Sequence, residues 1–324
     1  MPTVAPLDLD GHCVAAAFLG GVPFFAQAGG AVHRLDHGYK SETVHDGLLC
    51  AALDASGGRL ITGGEDGKVR AVRRDGTVDD LGTVERKWIT SVAAGPQQVV
   101  AWGAGKTAYV RFADGKLKSF EHPRSVEGVA FSPKGMRIGV ARYNGATLHF
   151  PAADGKPVEL EWAGAHTGIT FSPDGAYVVT TMQENALHGW KLVDGKHMRM
   201  TGYPAKVKSL SWSAKGRWLA SSGAPAAIVW PFHGKDGPMG KAPVELGTRG
   251  NMMVTAVACH PVEEIVAIGY DDGMILAARF ADQKEVLLRR PGKGAITSMM
   301  WDEEGRRIAF GSAEGDCGVV DIAG

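Results

Sequence analysis

Much of what the 324-residue sequence says comes from what it lacks. No stretch approaches the eighteen or so apolar residues a membrane-spanning helix requires, which excludes a helical span. The first residues, MPTVAPLDLDGHCV, have no basic leader and place Asp8 and Asp10 where a secretion signal needs an apolar core. Charge of one sign is not in excess: Lys+Arg and Asp+Glu are both 35, a formal net charge of 0. That removes the electrostatic basis for a general nucleic-acid or anionic-membrane binder. Cysteine is sparse, and Cys13, Cys50, Cys259 and Cys317 show no CxxC spacing. They read as free, buried thiols, so the expected setting is cytoplasmic. Helical i, i+3, i+4 periodicity of useful length is missing throughout, which points to an all-β chain. A GxSxG elbow, a P-loop and a dinucleotide-type glycine loop are missing too. No catalytic residue, cofactor or metal is therefore assigned.

What the sequence has in abundance is glycine, 45 residues or about 14% against a usual share of roughly 7%. Ten of those glycines mark two series of turns. Asp-Gly pairs recur at Asp75-Gly76, Asp114-Gly115, Asp154-Gly155, Asp194-Gly195 and Asp236-Gly237, spaced by 39, 40, 40 and 42 residues. Each pair suits a two-residue hairpin turn, whose central positions need positive φ. About twenty residues out of phase run AFSPKG (130–135), TFSPDG (170–175) and SWSAKG (211–216), with looser forms ALDASG (52–57), ACHPVE (258–263) and MWDEEG (300–305). Two interleaved turn series at one forty-residue period mean strand and turn in alternation.

The segments between turns have strand composition. Ala176–Thr181, Arg217–Ala220 and Glu264–Ile268 are short, rich in β-branched or aromatic residues, and bounded by Gly or Pro. Before each SPDG-like turn large and small residues alternate, as in Val129-Ala130-Phe131, Leu210-Ser211-Trp212 and Val257-Ala258-Cys259. In a strand that alternation sends bulk to one face and leaves the other shallow, which suits sheets stacked side by side around an axis. First strands end near Phe18, Leu53, Ala94, Phe131, Phe171, Trp212, Cys259 and Trp301, a count of eight. The last copy stops after its third strand, CGVVDI (317–322), and Thr3–Leu9 is free to supply the fourth.

The chain resembles the WD-repeat (WD40-type) β-propellers, whose blades are four-stranded sheets of about 40–45 residues. FSPDG (171–175) matches that family's first turn, and TGGEDGKVRAV (62–72) and IGYDDGMILAA (268–278) match its second turn and third strand. The closing Trp-Asp pair is nowhere intact; Phe150, Trp190, Trp230 and Val320 hold its place. The Gly-His before the first strand is nearly gone, with His122 at about the right offset and Tyr203 following Gly202. The family's hydrogen-bonded tetrad is accordingly incomplete in every repeat that aligns. The resemblance implies a single propeller domain over 1–324, with eight four-stranded blades (alternative seven) and a ring closed by the N-terminal strand.

It also implies a non-catalytic scaffold that binds another protein or peptide through loops on one face. The alternative is an enzyme, or a small-ligand or metal-binding propeller, with its site at the channel mouth. First strands beginning Ser91, Glu127, Thr167, Lys208, Thr255 and Thr297 bring one carboxylate, too few for a metal site. His33, Asp36 and His37 suggest a metal until strand geometry is applied: residues four apart on a strand lie about 13 Å apart. His12, His45, His122, His166 and His188 read as turn or capping residues. The protein-binding candidates are Trp102, Arg142, Tyr143, Gln183, Tyr270 and Asp271, just before second turns, with Trp88 and Met252 near first-strand starts. Aromatics, Met and Arg are enriched at interface centres. The competing reading, packing between sheets, applies most to Trp102 and Tyr270. The longest connection, His233–Pro243, reads as a surface loop.

Overall fold

The computed structural model describes residues 2–54, 56, 58–153 and 155–322. Asp154 of the third Asp-Gly pair, and Ala55 and Gly57 of ALDASG, lie outside them. The described residues form antiparallel strands joined by short turns, with one 3₁₀ turn at Pro96–Gln98.

By its internal contacts the chain divides into two compact units: residues 1–27, 33–40 and 202–324, and residues 28–32 and 41–201. The first contains three complete four-stranded sheets. Leu210–Trp212, Trp218–Ser221, Ala227–Pro231 and Val244–Leu246 make one, and Val254–Cys259, Ile265–Tyr270, Ile275–Arg279 and Glu285–Arg289 the next. In the third, Ile296–Trp301, Arg307–Ser312 and Asp316–Asp321 are completed by Thr3–Asp8, paired from Thr3↔Asp321 to Asp8↔Asp316. The N-terminal segment does supply the strand missing from the last repeat. Cys13–Leu19 and Val22–Gln27 begin a further sheet whose outer strands are Ala31–Leu35 and Tyr39–Thr43.

The second unit holds a four-stranded sheet beginning at Leu48–Asp54, another beginning at Ser91–Ala94, and a six-stranded one beginning at Val126–Phe131. The eight separate sheets expected from the repeat count are therefore not found. Seven are present among the described residues, the number held as the alternative. The cause is two unusually long strands, Ile138–His149 and Val158–Phe171. Ile138–His149 pairs through 138–142 with Val126–Phe131 and through 143–148 with Val158–Phe171. Val158–Phe171 in turn pairs through 166–171 with Tyr177–Met182. Backbone that would break into turns elsewhere runs on here, and two forty-residue repeats share one ladder.

Burial is graded across each sheet. Second strands such as Val22–Gln27, Arg59–Gly64, Val100–Ala104 and Tyr177–Met182 are buried along their whole length, whereas the outer strand Tyr39–Thr43 is exposed along its whole length. A strand covered on both faces reads as a continuous apolar run, as VPFFA (22–26) does. Six first strands carry a register shift near their start, at Cys13/Ala15, Leu48/Cys50, Val126/Gly128, His166/Gly168, Val254/Ala256 and Ile296/Ser298. Such a bulge re-aims the extra residue. In two cases the residue beside it reaches the neighbouring sheet, Thr255 Oγ1 donating to Ile296 O (2.7 Å) and Thr297 Oγ1 to Cys13 O (2.6 Å), and Cys50 Sγ donates to Ile89 O (3.3 Å) on the connection to the next sheet. These positions stitch sheet to sheet.

The Asp-Gly turns differ from expectation in type. Arg73 N donates to Thr77 O, so three residues connect the strands, and only Gly76 (φ 93°) is left-handed. Asp75 instead accepts the Thr77 N–H on its side chain (2.9 Å), and Asp114 does the same for Lys116 (3.0 Å). Gly67, Gly175 and Gly273 have φ of 72°, 69° and 82°, as their turns require. Space is shortest at Gly67, where a Cβ would lie 2.3 Å from Val84 O.

Candidate protein-binding surface

The connections around the long strands build a pair of clefts in the second unit. Arg142 ends the first half of Ile138–His149 and is 9% exposed. Its guanidinium donates to Thr147 Oγ1 (3.0 Å) and Tyr143 O (3.0 Å), and pairs with the Glu159 carboxylate. Thr147 Oγ1 donates to the same carboxylate (2.8 Å). Burial works to raise the Glu159 pKa, but these hydrogen bonds and the Arg142 charge hold it below the usual carboxylate value. The fork fixes a bulge between Tyr143 and Gly145 that only glycine can complete. Gly145 sits at φ 126°, and a Cβ there would be 2.0 Å from Leu160 O. Tyr143 is left 50% exposed on a pinned backbone.

Two clefts meet at Tyr143. One, of about 670 Å³, has Arg142, His149 and His122 in its lining with Glu121, Glu161 and Trp162. The other, of about 600 Å³, joins Tyr143 to Arg124, Glu127, Thr167 and Gln183. His122 and His149 face each other with Nε2···Nε2 at 3.3 Å, and His149 stacks on Phe120 (4.2 Å between centroids). Burial first, then the neighbouring His122, pushes His149 down to about 4; burial and Arg142 lower His122. At neutral pH both rings are uncharged and one donates to the other.

The predicted binding residues separate. Tyr143 and Gln183 share a cleft wall, and Arg142 supports it from beneath. Trp88 is 57% exposed on the connection after Val78–Thr83 and lines neither cleft. Asp271 is exposed, and its N–H donates to Met253 O (3.0 Å), next to half-buried Met252. Trp102 and Tyr270 are corrected to core residues. Trp102, 1% exposed, stacks on Tyr109 (5.5 Å) and packs among Ile61 and Val69 of the adjoining sheet and Ile89 of the connection that follows it. Tyr270, 0% exposed, donates its hydroxyl to Gly247 O, and burial pushes its pKa up to about 12.

The histidines read as turn residues are mostly structural links. His45 joins Asp66 (Nδ1, 3.0 Å) to Thr62 (Nε2, 2.9 Å), a three-residue chain with Arg70 paired to Asp66 beside it. His166 bonds Thr180 Oγ1 (2.7 Å) and Trp162 O (3.0 Å). In another sheet Tyr203 does the same work: Trp230 Nε1 donates to its hydroxyl (2.6 Å), which bonds Ser221 Oγ (2.7 Å). The signal was available as a His or Tyr 14 to 18 residues before a Ser or Thr, once strands were aligned. His33 bonds Tyr39 OH (2.7 Å), and among the described residues no group of three or more His, Cys, Asp or Glu is placed to hold a metal.

Comparison with known proteins agrees with this architecture. Residues 257–324 match the family described as the anaphase-promoting complex subunit 4 WD40 domain, and residues 196–229 match the WD domain, G-beta repeat. Residues 196–229 and 257–324 are thus similar to WD-repeat sequences, and the four-stranded antiparallel sheets are of the kind that β-propellers stack. Among solved structures it is similar to the computationally designed protein Ika8, with 20% identity and a TM-score of 0.77 over 97% of this chain and 98% of that one. It is also similar to a chain in the mitotic checkpoint complex, with 13% identity and a TM-score of 0.67 over 82% of this chain and 87% of that one. No curated protein matches the sequence.

Proposed function

We propose that the protein is a non-catalytic WD-repeat scaffold that binds another protein or peptide where Tyr143, Gln183 and Arg124 meet. The observation that carries this reading is Tyr143: a half-exposed aromatic on a backbone locked by buried Arg142, which pairs with exposed Glu159, at the junction of two clefts. An anchor already held in place loses little ordering entropy when a partner docks. Tyr and Arg are the residue types that dominate such contacts. The same reading treats the six-stranded sheet as two repeats sharing long strands, which would restore the eight units of the sequence. The forty-residue spacing of AFSPKG and TFSPDG, both within that sheet, supports it. A cytoplasmic setting fits the four free thiols.

The test is affinity capture from native cell extract, quantified by mass spectrometry, with wild type, Tyr143→Ala and Gln183→Ala in parallel. A partner captured by wild type and lost with Tyr143→Ala, at unchanged melting temperature, is the expected result. Equal capture by all three moves the site elsewhere.

A further inference from the structure

Of the four thiols, two are isolated and two are together. Cys50 donates to Ile89 O, Cys259 to Ser211 O (3.3 Å each), and burial pushes both pKa values up to about 12. Cys13 and Cys317 belong instead to one buried cluster, both at 0% exposure. Cys13 opens the strand Cys13–Leu19; Cys317 lies in Asp316–Asp321, in the neighbouring sheet.

What brings them together is a missing side chain. In the last sheet Phe310 pairs with Gly318, so one step along the antiparallel ladder Gly311 faces Cys317. Cys13 packs onto Gly311 from the adjoining sheet. A Cβ on Gly311 would lie 2.2 Å from Cys13 Sγ and 3.3 Å from Cys317 Sγ. The glycine thus leaves one space, and the atoms nearest to it belong to the two cysteines. Gln27 Nε2, from the residue paired with Cys13, donates to Cys317 Sγ (3.5 Å).

We propose that Cys13 and Cys317 are an oxidative modification site, a thiol pair that hydrogen peroxide converts into a disulfide joining the two sheets. The hydrogen bond from Cys13, with help from Gln27, lowers the Cys317 pKa and raises that of Cys13, which makes Cys317 the first to react. The Cys317 thiolate attacks one peroxide oxygen, the O–O bond breaks, and the leaving hydroxide takes up a proton as water. The Cys317 sulfenic acid is then attacked by Cys13 sulfur. The S–O bond breaks, the S–S bond forms, and hydroxide leaves with the Cys13 proton as a second water. The sulfurs give up two electrons in all and peroxide is reduced to two waters. Burial selects a small oxidant, so glutathione disulfide reacts poorly. The new bond encloses residues 14–316 and fastens the sheet that contains both the N-terminal strand and the last strand to its neighbour. Closing so long a loop raises the melting temperature by roughly 5 °C.

The experiment treats full-length protein with hydrogen peroxide, alkylates free thiols under denaturing conditions, and maps peptides without reduction. The expected product is one linked pair, Cys13 to Cys317, removed by dithiothreitol, with Cys50 and Cys259 alkylated. The Cys50→Ala/Cys259→Ala variant should form the same link and show the same rise in melting temperature; Cys13→Ala should show neither. Should Cys13→Ala fold poorly, the wild-type peptide map decides alone. Recovery of both cysteines as alkylated thiols, as unlinked sulfinic or sulfonic acids, or bound to Cys50 or Cys259 overturns the proposal.

Discussion

Arg142-Tyr143 and Tyr270-Asp271 end second strands at matching places in their repeats, and only one residue of each pair faces outward. Arg142 pairs with Val126 and Tyr270 with Val254, each across from the residue just before a first-strand bulge. Met182-Gln183 is a third case, with Met182 paired to His166. In all three the first residue is buried and the second exposed. The strand end decides this: the second strands are covered on both faces, and that cover stops at the first residue beyond. A guanidinium goes inward at 142 because Glu159 and Thr147 meet it; an aromatic goes inward at 270 because Gly247 O accepts its hydroxyl. At the outward position the chain places Tyr143 in one repeat and Asp271 in another, and only the first has two clefts beside it.

The largest effect should come from moving the inward set. Trp102→Ala removes a ring that packs against the neighbouring sheet so tightly that a Cβ on Gly82 would lie 2.9 Å from it. A loss of about 3–5 kcal/mol is expected in denaturant melts, against no more than about 0.5 kcal/mol for Tyr143→Ala. Similar losses for the two would mean that inward and outward positions are not distinguished by packing.

Turn glycines offer the next contrast. Gly67→Val must displace the carbonyl of Val84 as well as bear a positive φ, and should cost about 3 kcal/mol. Gly175 has the same φ, but the atoms nearest its Cβ are 3.6 Å away, so Gly175→Val should cost only about 1 kcal/mol. Thermal denaturation of both variants checks the order; the reverse order would place the strain in φ alone.

How legible this was in the sequence follows from particular residues. Strand positions, the SPDG-like turns and the pairing of Thr3–Asp8 with the last strand could all be read, because turn chemistry and the forty-residue spacing are local. The junction between repeats could not. Tyr143-Asn144-Gly145 looks like a turn, and in the structure it is a bulge inside one twelve-residue strand, decided by Arg142 reaching Glu159 seventeen residues on. Grouping residues on both sides of a strand end as one surface overlooked the two-sided cover that buries Trp102, Arg142 and Tyr270. The polar chains through His45 and Tyr203 were missed because their partners lie on a different strand.

Acid should act on the inward histidines. His149 is held near 4 and His188 near 3, chiefly by burial; His188 is flat on Trp162 (4.2 Å) and neither ring nitrogen has a partner among the described residues. Between those values and about 6.5 the unfolded chain binds protons that the folded chain does not, so stability falls as pH drops through that window. His188→Phe should flatten the loss of melting temperature between pH 6.5 and 4.5 while keeping the stack. An unchanged slope would assign acid sensitivity to other groups.

The smallest effect on stability, and the sharpest test of the comparison, is expected at the outward residues themselves. Tyr143→Ala and Asp271→Ala each remove a side chain from an exposed position, so both should melt within about 0.5 kcal/mol of wild type. They differ in what surrounds them. Tyr143 stands on a backbone pinned by the Arg142 fork with a cleft on either side, whereas Asp271 is tied to its neighbours by its own N–H on Met253 O. If surroundings make a binding position, capture of the partner should fall at least tenfold with Tyr143→Ala and stay within twofold with Asp271→Ala. Arg142→Lys then separates anchor from support. It keeps the charge and loses the planar fork, so Tyr143 remains but its backbone loosens, and capture should weaken by an intermediate amount. Wild-type capture by Arg142→Lys would show that the tyrosine needs no fixed backbone. Equal losses from Tyr143→Ala and Asp271→Ala would make the binding surface a property of the repeat position.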